Sequence, residues 1–188
     1  MKFKKLKFKK SFKIDPKIFK DKRGYFFESF HKKKYKKFLD NNLFVQDDHS
    51  FSKKNVLRGI HFQFKNPQSQ LMYLAQGKLF IVLVDFRPKS KTFLKHQKFI
   101  LDSRTHTQLY VPPGVGTGFY TLASVNHVIY KISELYKPNT EMGIKWNDPT
   151  LKIKWPCSKP LIGEKDKKNK LISNVNFQKF KDLKKLKV

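Results

Sequence analysis

Apolar and polar residues alternate in short runs along most of this chain, which is the two-residue period of strands rather than the 3.6-residue period of helices. Leu6, Phe8, Phe12 and Ile14 fall among lysines and a serine and predict an opening strand with one apolar face. The stretch 31–42 differs: it is lysine-rich, with Tyr35, Phe38 and Leu39 at helical spacing, and is the best helix candidate. From Val45 onward, short apolar runs are broken by turn residues. Runs at 72–75 and 79–84, separated by Gln76-Gly77, predict a pair of strands around a tight turn, and further runs at 99–101, 108–111, 118–122 and 128–132 continue the series. Several strands at this spacing predict an all-β antiparallel sandwich or barrel. Pro112-Pro113-Gly114 cannot lie inside a sheet and must be a loop. The region 138–160 is irregular and carries both tryptophans, which read as core residues. The stretch 167–188 is polar and basic, and Phe177, Phe180, Leu183 and Leu186 make it either a short docking helix or a frayed tail. No repeat or linker divides the 188 residues, so a single domain, 1–188, is expected, large enough for a true core.

Composition adds an anionic partner and removes several classes. The formal net charge is +28, yet only four of the 42 basic residues are arginines (Arg23, Arg58, Arg87 and Arg104). Lysine enrichment together with 19 phenylalanines is the mark of AT-biased codon usage, so most of this charge reads as solvated surface. It still favours an anionic substrate. Nucleic-acid binding would need a stacking motif or a recognised fold for it, and none is visible. No run of 18 apolar residues exists to span a membrane. The basic start Met1-Lys2-Phe3-Lys4-Lys5-Leu6 has no apolar stretch behind it and does not read as a signal peptide. The expected location is cytoplasmic. The single Cys157 excludes an intramolecular disulfide and a cysteine-built zinc site.

Candidate chemistry concentrates in Val56-Leu57-Arg58-Gly59-Ile60-His61-Phe62-Gln63. Imidazole takes up a proton near neutral pH. The guanidinium group grips phosphate through paired hydrogen bonds. Together they point to a base beside a phosphorylated substrate. A half-buried strand histidine with a surface arginine would explain the motif equally well on its own, and what decides is the company it keeps.

In chain order that company is Asp21-Lys22-Arg23-Gly24-Tyr25-Phe26-Phe27-Glu28, Val45-Gln46-Asp47-Asp48-His49-Ser50, Val84-Asp85-Phe86-Arg87, Val111-Pro112-Pro113-Gly114, Tyr130-Lys131 and Tyr136. It ends with Glu141-Met142-Gly143-Ile144-Lys145-Trp146-Asn147-Asp148-Pro149, Ile153-Lys154-Trp155-Pro156 and Glu164-Lys165-Asp166. The ordered set, from Phe19 to Asp166, closely resembles the dTDP-4-dehydrorhamnose 3,5-epimerase family. The resemblance implies a cupin-type jelly roll with a few short peripheral helices, a homodimer, no metal or redox cofactor, and a nucleoside-diphosphate-linked 4-keto-6-deoxy sugar as substrate. It makes His61 the proton-abstracting base, Asp166 its orienting carboxylate and Tyr130 the acid on the opposite face of the sugar. Arg23, Arg58 and Lys165 would lie near the diphosphate and sugar. Glu28, Gln46, Asp48 and Glu141 would contact the nucleotide, with Phe26 and Tyr136 against the base.

Three positions depart from the family pattern. Gln70 stands where a lysine is usual, Thr117 where a histidine is usual, and Asp48 where asparagine is favoured. The first two family residues lie by the sugar ketone, so their loss replaces charged donors with neutral ones, and charge-assisted hydrogen bonds are about twice as strong. His49 and His127 are the candidates to compensate. The open readings are a 3,5-epimerase, a single-centre epimerase on a variant keto sugar, and a non-catalytic binder of sugar nucleotides, with a nucleic-acid-binding protein well behind.

Overall fold

The structure is a computed structural model and describes residues 1–36 and 44–186. In chain order the strands and helices are β1 (Lys2–Lys5), β2 (Phe12–Asp15), β3 (Ile18–Asp21), β4 (Gly24–Phe27), α1 (Lys32–Tyr35), β5 (Gln46–Lys53), β6 (Val56–Gln63), β7 (Gln70–Gln76), β8 (Lys78–Asp85) and β9 (His96–Asp102). They continue with β10 (Gln108–Val111), β11 (Val115–Thr121), β12 (Val125–Ile132), β13 (Glu141–Gly143), β14 (Leu161–Ile162), α2 (Glu164–Lys167) and α3 (Lys181–Lys185). One sheet runs β1-β2-β10-β7-β12-β5 and the other β13-β6-β11-β8-β9, with β14 added to β6. Every pairing between strands is antiparallel except β14 on β6. The two sheets share an apolar core, which gives the expected all-β jelly roll.

Alternation explains which face each strand buries. Met72 and Leu74 on β7, Leu109 and Val111 on β10, and Leu79, Ile81 and Leu83 on β8 fill the space between the sheets. Strand β8 is apolar on both faces because it is covered on both. Val82 and Val84 point outward into a second core with Phe62, Phe86, Ile144, Phe177 and Leu183. The C-terminal stretch therefore packs as a cover over the outer face of this sheet, with Phe180 and Leu186 against the same cluster. It is neither one helix nor a frayed tail: two short 3-10 turns (Ile172–Asn174 and Phe177–Lys179) lead into α3. Burying each such large apolar side chain stabilises the fold by roughly 1.5–3 kcal/mol.

Two local expectations need correction. Leu6 to Ile14 is not one strand: Phe8 lies in the turn between the paired strands β1 and β2, although Phe8, Phe12 and Ile14 are all buried. Strands β7 and β8 do flank a tight turn at Gly77, but they are not partners. β7 pairs with β10 and β12, and β8 with β11 and β9, so the turn carries the chain from one sheet to the other. Gly77 has φ +105, and a Cβ there would meet Asn126 Oδ1 and Val125 O at 2.5 Å, so the crossover requires glycine. Of the helix expected over 31–42, α1 covers Lys32–Tyr35 with Tyr35 buried, and Phe38 and Leu39 lie outside the described residues. Both tryptophans are partly buried, Trp155 against the outer core with its indole N–H donating to Trp146 O at 2.8 Å.

Candidate active site

One end of the space between the sheets is left open as a cavity of about 640 Å³. Its walls follow from strand alternation. On β5, Gln46, Asp48 and Ser50 face inward while Asp47, His49 and Phe51 face out, and Asp48 lies directly across from Tyr130 on β12. Gln70 on β7 lies across from Ile132 on β12. The opposite wall holds Arg58 and His61 on β6 with Thr117 and Phe119 on β11.

Arg58 and His61 are three residues apart, and regular alternation would send them to opposite faces. A bulge resolves this. His61 pairs with Thr117 and Arg58 with Phe119, so β6 carries one residue more than β11 between these pairs. Such an extra residue bends a strand and re-aims its side chains. Gly59 lies in the bulge with φ +107, and a Cβ on it would meet Gly118 Cα and Thr117 O at 2.6 Å. The Arg-Gly-Ile-His spacing is thus what puts arginine and histidine on one wall.

His61 Nε2 faces Asp166 Oδ1 in a short hydrogen bond. Asp166, carried by α2, is buried, and its other oxygen accepts from Gly59 N at 3.0 Å. Asn169 Nδ2 donates to Asp166 Oδ1 at 3.3 Å and to Gly59 O at 3.4 Å. Burial alone would raise the Asp166 carboxyl. The hydrogen bond and charge of His61, then Gly59 and Asn169, outweigh it and hold the pKa below the ordinary value. A carboxylate fixed in this way keeps the imidazole proton on Nε2 and leaves the Nδ1 lone pair as a base. Nδ1 lies 3.8 Å from Glu141 Oε1.

On the other wall, burial pushes the Tyr130 phenol up to about 12, with the Ser50 hydrogen bond and the Arg58 charge opposing and Asp48 reinforcing the rise. Its hydroxyl is 3.4 Å from Ser50 Oγ. At neutral pH Tyr130 is therefore a proton donor. Arg58 is anchored by Nε to Ser52 Oγ at 3.0 Å and by Nη2 to Phe51 O at 3.1 Å. At the rim, Lys165 Nζ contacts Glu141 Oε2 and donates to Tyr136 Oη at 3.0 Å, and Tyr136 donates to Glu141 at 3.0 Å. Burial lowers the Lys165 pKa, but these contacts raise it more, so the ammonium is secured. Gln46 is fixed at both ends of its amide, accepting from Tyr136 N at 3.0 Å and donating to Asp48 at 2.8 Å. Thr117 Oγ1 donates to Gln70 Oε1 at 3.3 Å across the gap between the sheets. Among the described residues no group of three His, Cys, Asp or Glu side chains converges to hold a metal.

The cavity thus gathers Gln46, Asp48, Arg58, His61, Gln70, Thr117, Tyr130, Tyr136, Glu141, Lys165 and Asp166. It does not gather Arg23, Phe26 and Glu28. These belong to the β3–β4 hairpin and its exit: Arg23 is 85% exposed beside Asp21, Phe26 is 67% exposed, and Glu28 pairs with Lys34. His49 and His127 cannot compensate for the missing charges. Their rings bond one another at 2.9 Å and neither lines the cavity. Ser50 and Asn169 are additions. The 46-48-50 alternation would have found Ser50, but no sequence signal marks Asn169.

A carboxylate-held imidazole on one wall and a protonated phenol on the other, in the mouth of a jelly roll, define a proton-transfer enzyme of the isomerase class. The model of the dTDP-4-dehydrorhamnose 3,5-epimerase family matches residues 5–174, and the chain belongs to that family. The dTDP-4-dehydrorhamnose 3,5-epimerase of Salmonella typhimurium is 42% identical over 156 residues, 81% of this chain and 85% of that one. The 3,5-epimerase of Legionella pneumophila, solved in complex with dTDP-4-keto-L-rhamnose, matches with a TM-score of 0.90 at 35% identity, covering 94% of this chain and 95% of that one. That of Bacillus anthracis, solved with TDP and PPi bound, gives 0.87 at 37% identity and covers 91% and 99%.

Proposed function

We propose that this chain inverts the carbons flanking the ketone of a nucleoside-diphosphate-linked 4-keto-6-deoxy sugar, of the kind its relatives are named for. The observation that carries the reading is the His61–Asp166 pair set across one cavity from Tyr130. A C–H next to a ketone is acidic only if the base is placed on it and the enolate is stabilised. His61 Nδ1 takes that proton, the C–H electron pair moves into the ring to make the enolate, and Tyr130 returns a proton to the same carbon from the opposite face. Once exchange with solvent has taken the proton from His61 and returned one to Tyr130, repetition at the other carbon would invert both centres. Arg58 and Lys165, cationic side chains lining the cavity, suit the diphosphate. A substrate of that kind argues for a cytoplasmic protein.

A homodimer belongs to this proposal. Arg23, Phe26 and Glu28 lie outside their own cavity on a hairpin that exposes Phe19, Tyr25 and Phe26. An apolar, arginine-bearing hairpin of this kind fits a second copy, in which it would reach the nucleotide end of the partner's site.

The test is NMR of dTDP- and GDP-linked 4-keto-6-deoxy sugars incubated with the protein in heavy water. Deuterium at C3 and C5 with inversion supports the 3,5-epimerase. Deuterium at one carbon only supports the single-centre reading. Nucleotide binding with no exchange on any of them contradicts both and leaves a binding protein.

A further inference from the structure

The alternation that turns Asp48, Ser50 and Tyr130 into the cavity turns two histidines out of it. His49 on β5 and His127 on β12 share the outer face of the same strand pair. His49 lies directly across from Ile129 and His127 from Phe51, so the histidines are diagonal neighbours, a separation that long side chains can bridge. Their rings are tilted by 48°, and His49 Nε2 stands 2.9 Å from His127 Nδ1, one ring donating to the other. The Phe51 ring lies 5.1 Å from that of His127 and holds it in place, whereas His49 is exposed.

We infer that His49 Nε2 and His127 Nδ1 chelate a divalent transition-metal ion of the kind that favours imidazole, Cu(II) most tightly, on the face of the sheet away from the cavity. The spacing suits that role. With each nitrogen about 2.0–2.1 Å from the ion, a 2.9 Å separation corresponds to a ligand–metal–ligand angle of about 90°. That is the angle between neighbouring positions of a tetragonal Cu(II) or Ni(II) ion. A tetrahedral ion would ask for a separation of about 3.3–3.4 Å. Rotation of the exposed His49 ring about χ2, a broad torsion in histidine, converts two nitrogens that face one another into two that face one ion. Between neutral imidazoles the bridging proton moves to the other nitrogen of the ring that holds it, so both donors become lone pairs and no proton is released. Asp47, the next outward residue on β5, is bound to Lys131 at 2.8 Å, and among the described residues no third histidine, cysteine or carboxylate joins the pair. Water completes the shell. Two neutral nitrogens select against Mg(II) and Ca(II), which take oxygen ligands. The ion staples β5 to β12, the strands whose inner faces carry Ser50 and Tyr130.

The experiment titrates copper(II), nickel(II) and magnesium chlorides into the full-length protein by calorimetry, with electron paramagnetic resonance of the copper form. Expected are one Cu(II) site per chain, tighter than Ni(II), no Mg(II) binding, nitrogen splitting from two imidazoles and a Tm raised by Cu(II). His49→Ala and His127→Ala each leave a single donor and are expected to weaken Cu(II) at least about tenfold, since the second nitrogen no longer binds within the same molecule. His127→Gln keeps a hydrogen-bonding partner for His49, so it should lose the metal to the same degree while the metal-free Tm stays at the wild-type value. His61→Ala is expected to keep the affinity. Cu(II) affinity within threefold of wild type in His49→Ala or His127→Ala, splitting from fewer than two nitrogens, or an affinity lost in His61→Ala overturns the inference. None of these results bears on the epimerase reading.

Discussion

Replacing Asp166 by asparagine changes one atom and tests the base directly. The neighbours determine how the new amide lies. Gly59 N–H is a fixed backbone donor aimed at Oδ2 from 3.0 Å, whereas Asn169 approaches Oδ1 from 3.3 Å with a side-chain amide that can turn over. The asparagine oxygen therefore settles toward Gly59 and its NH₂ toward His61 Nε2. That donor forces the imidazole proton onto Nδ1, the nitrogen proposed to accept the substrate proton. Were only a charge-assisted bond lost, about 1.5–3 kcal/mol, the rate would fall roughly 10- to 150-fold. A reversed tautomer costs far more, about 10⁴-fold in an aspartate-histidine pair of this kind, or about 5.5 kcal/mol. The expectation for Asp166→Asn is the larger loss, read as deuterium wash-in at C3 and C5, with thymidine diphosphate affinity unchanged. A loss below tenfold refutes the assignment of Asp166 as the group that sets the tautomer. Stability offers a second readout. The folded carboxyl lies below its ordinary 3.8, so its contribution is present above that value and disappears as pH falls through the folded pKa. Melting curves of Asp166→Asn should accordingly show a shallower decline below pH 4 than the wild type.

Other perturbations probe separate links. Tyr130→Phe removes the opposite-face donor and leaves His61 in place, so NMR should show deuterium entering with retention while inversion falls by at least about 10²-fold; equal loss of both would make Tyr130 a packing residue. Gly59→Ala puts a Cβ 2.6 Å from Gly118 Cα and Thr117 O at φ +107, and should cost about 3 kcal/mol in urea unfolding together with most of the activity. Full stability would mean that the bulge does not need glycine. Phe177→Ala opens a hole among Phe62, Phe86, Phe93 and Phe180 on the face away from the cavity. It should destabilise by about 3–5 kcal/mol and leave exchange per folded molecule unchanged; a change in exchange instead would couple the cover to the site.

Strand alternation made most of the β-rich core legible, because each strand is a short run with its own face to bury. Partnership was not legible, since pairing depends on where the chain crosses between sheets: the runs at 72–75 and 79–84 read as a hairpin until Gly77 proved to be a crossover. The site divides in the same way. Gln46, Asp48 and Ser50 share a face by simple periodicity, but Arg58 and His61 share one only because a bulge adds a residue between them. Asp166 reaches His61 from 105 positions away, a contact that resemblance predicts and spacing cannot. Asn169 escaped notice because its role lies in two long hydrogen bonds to groups that are themselves far apart in sequence. Arg23, Phe26 and Glu28 read as site residues from motif order, yet one chain alone does not bring them to the cavity.

In the proposed reaction an imidazole and a phenol work on opposite faces of one sugar ring. A crystal structure of this protein with a bound dTDP-linked 6-deoxy sugar tests it most directly. The pyranose is expected between the two walls, its C3 and C5 hydrogens toward His61 Nδ1 on one face and Tyr130 Oη on the other. A ring lying outside that gap, or both groups on the same face of it, would rule that arrangement out.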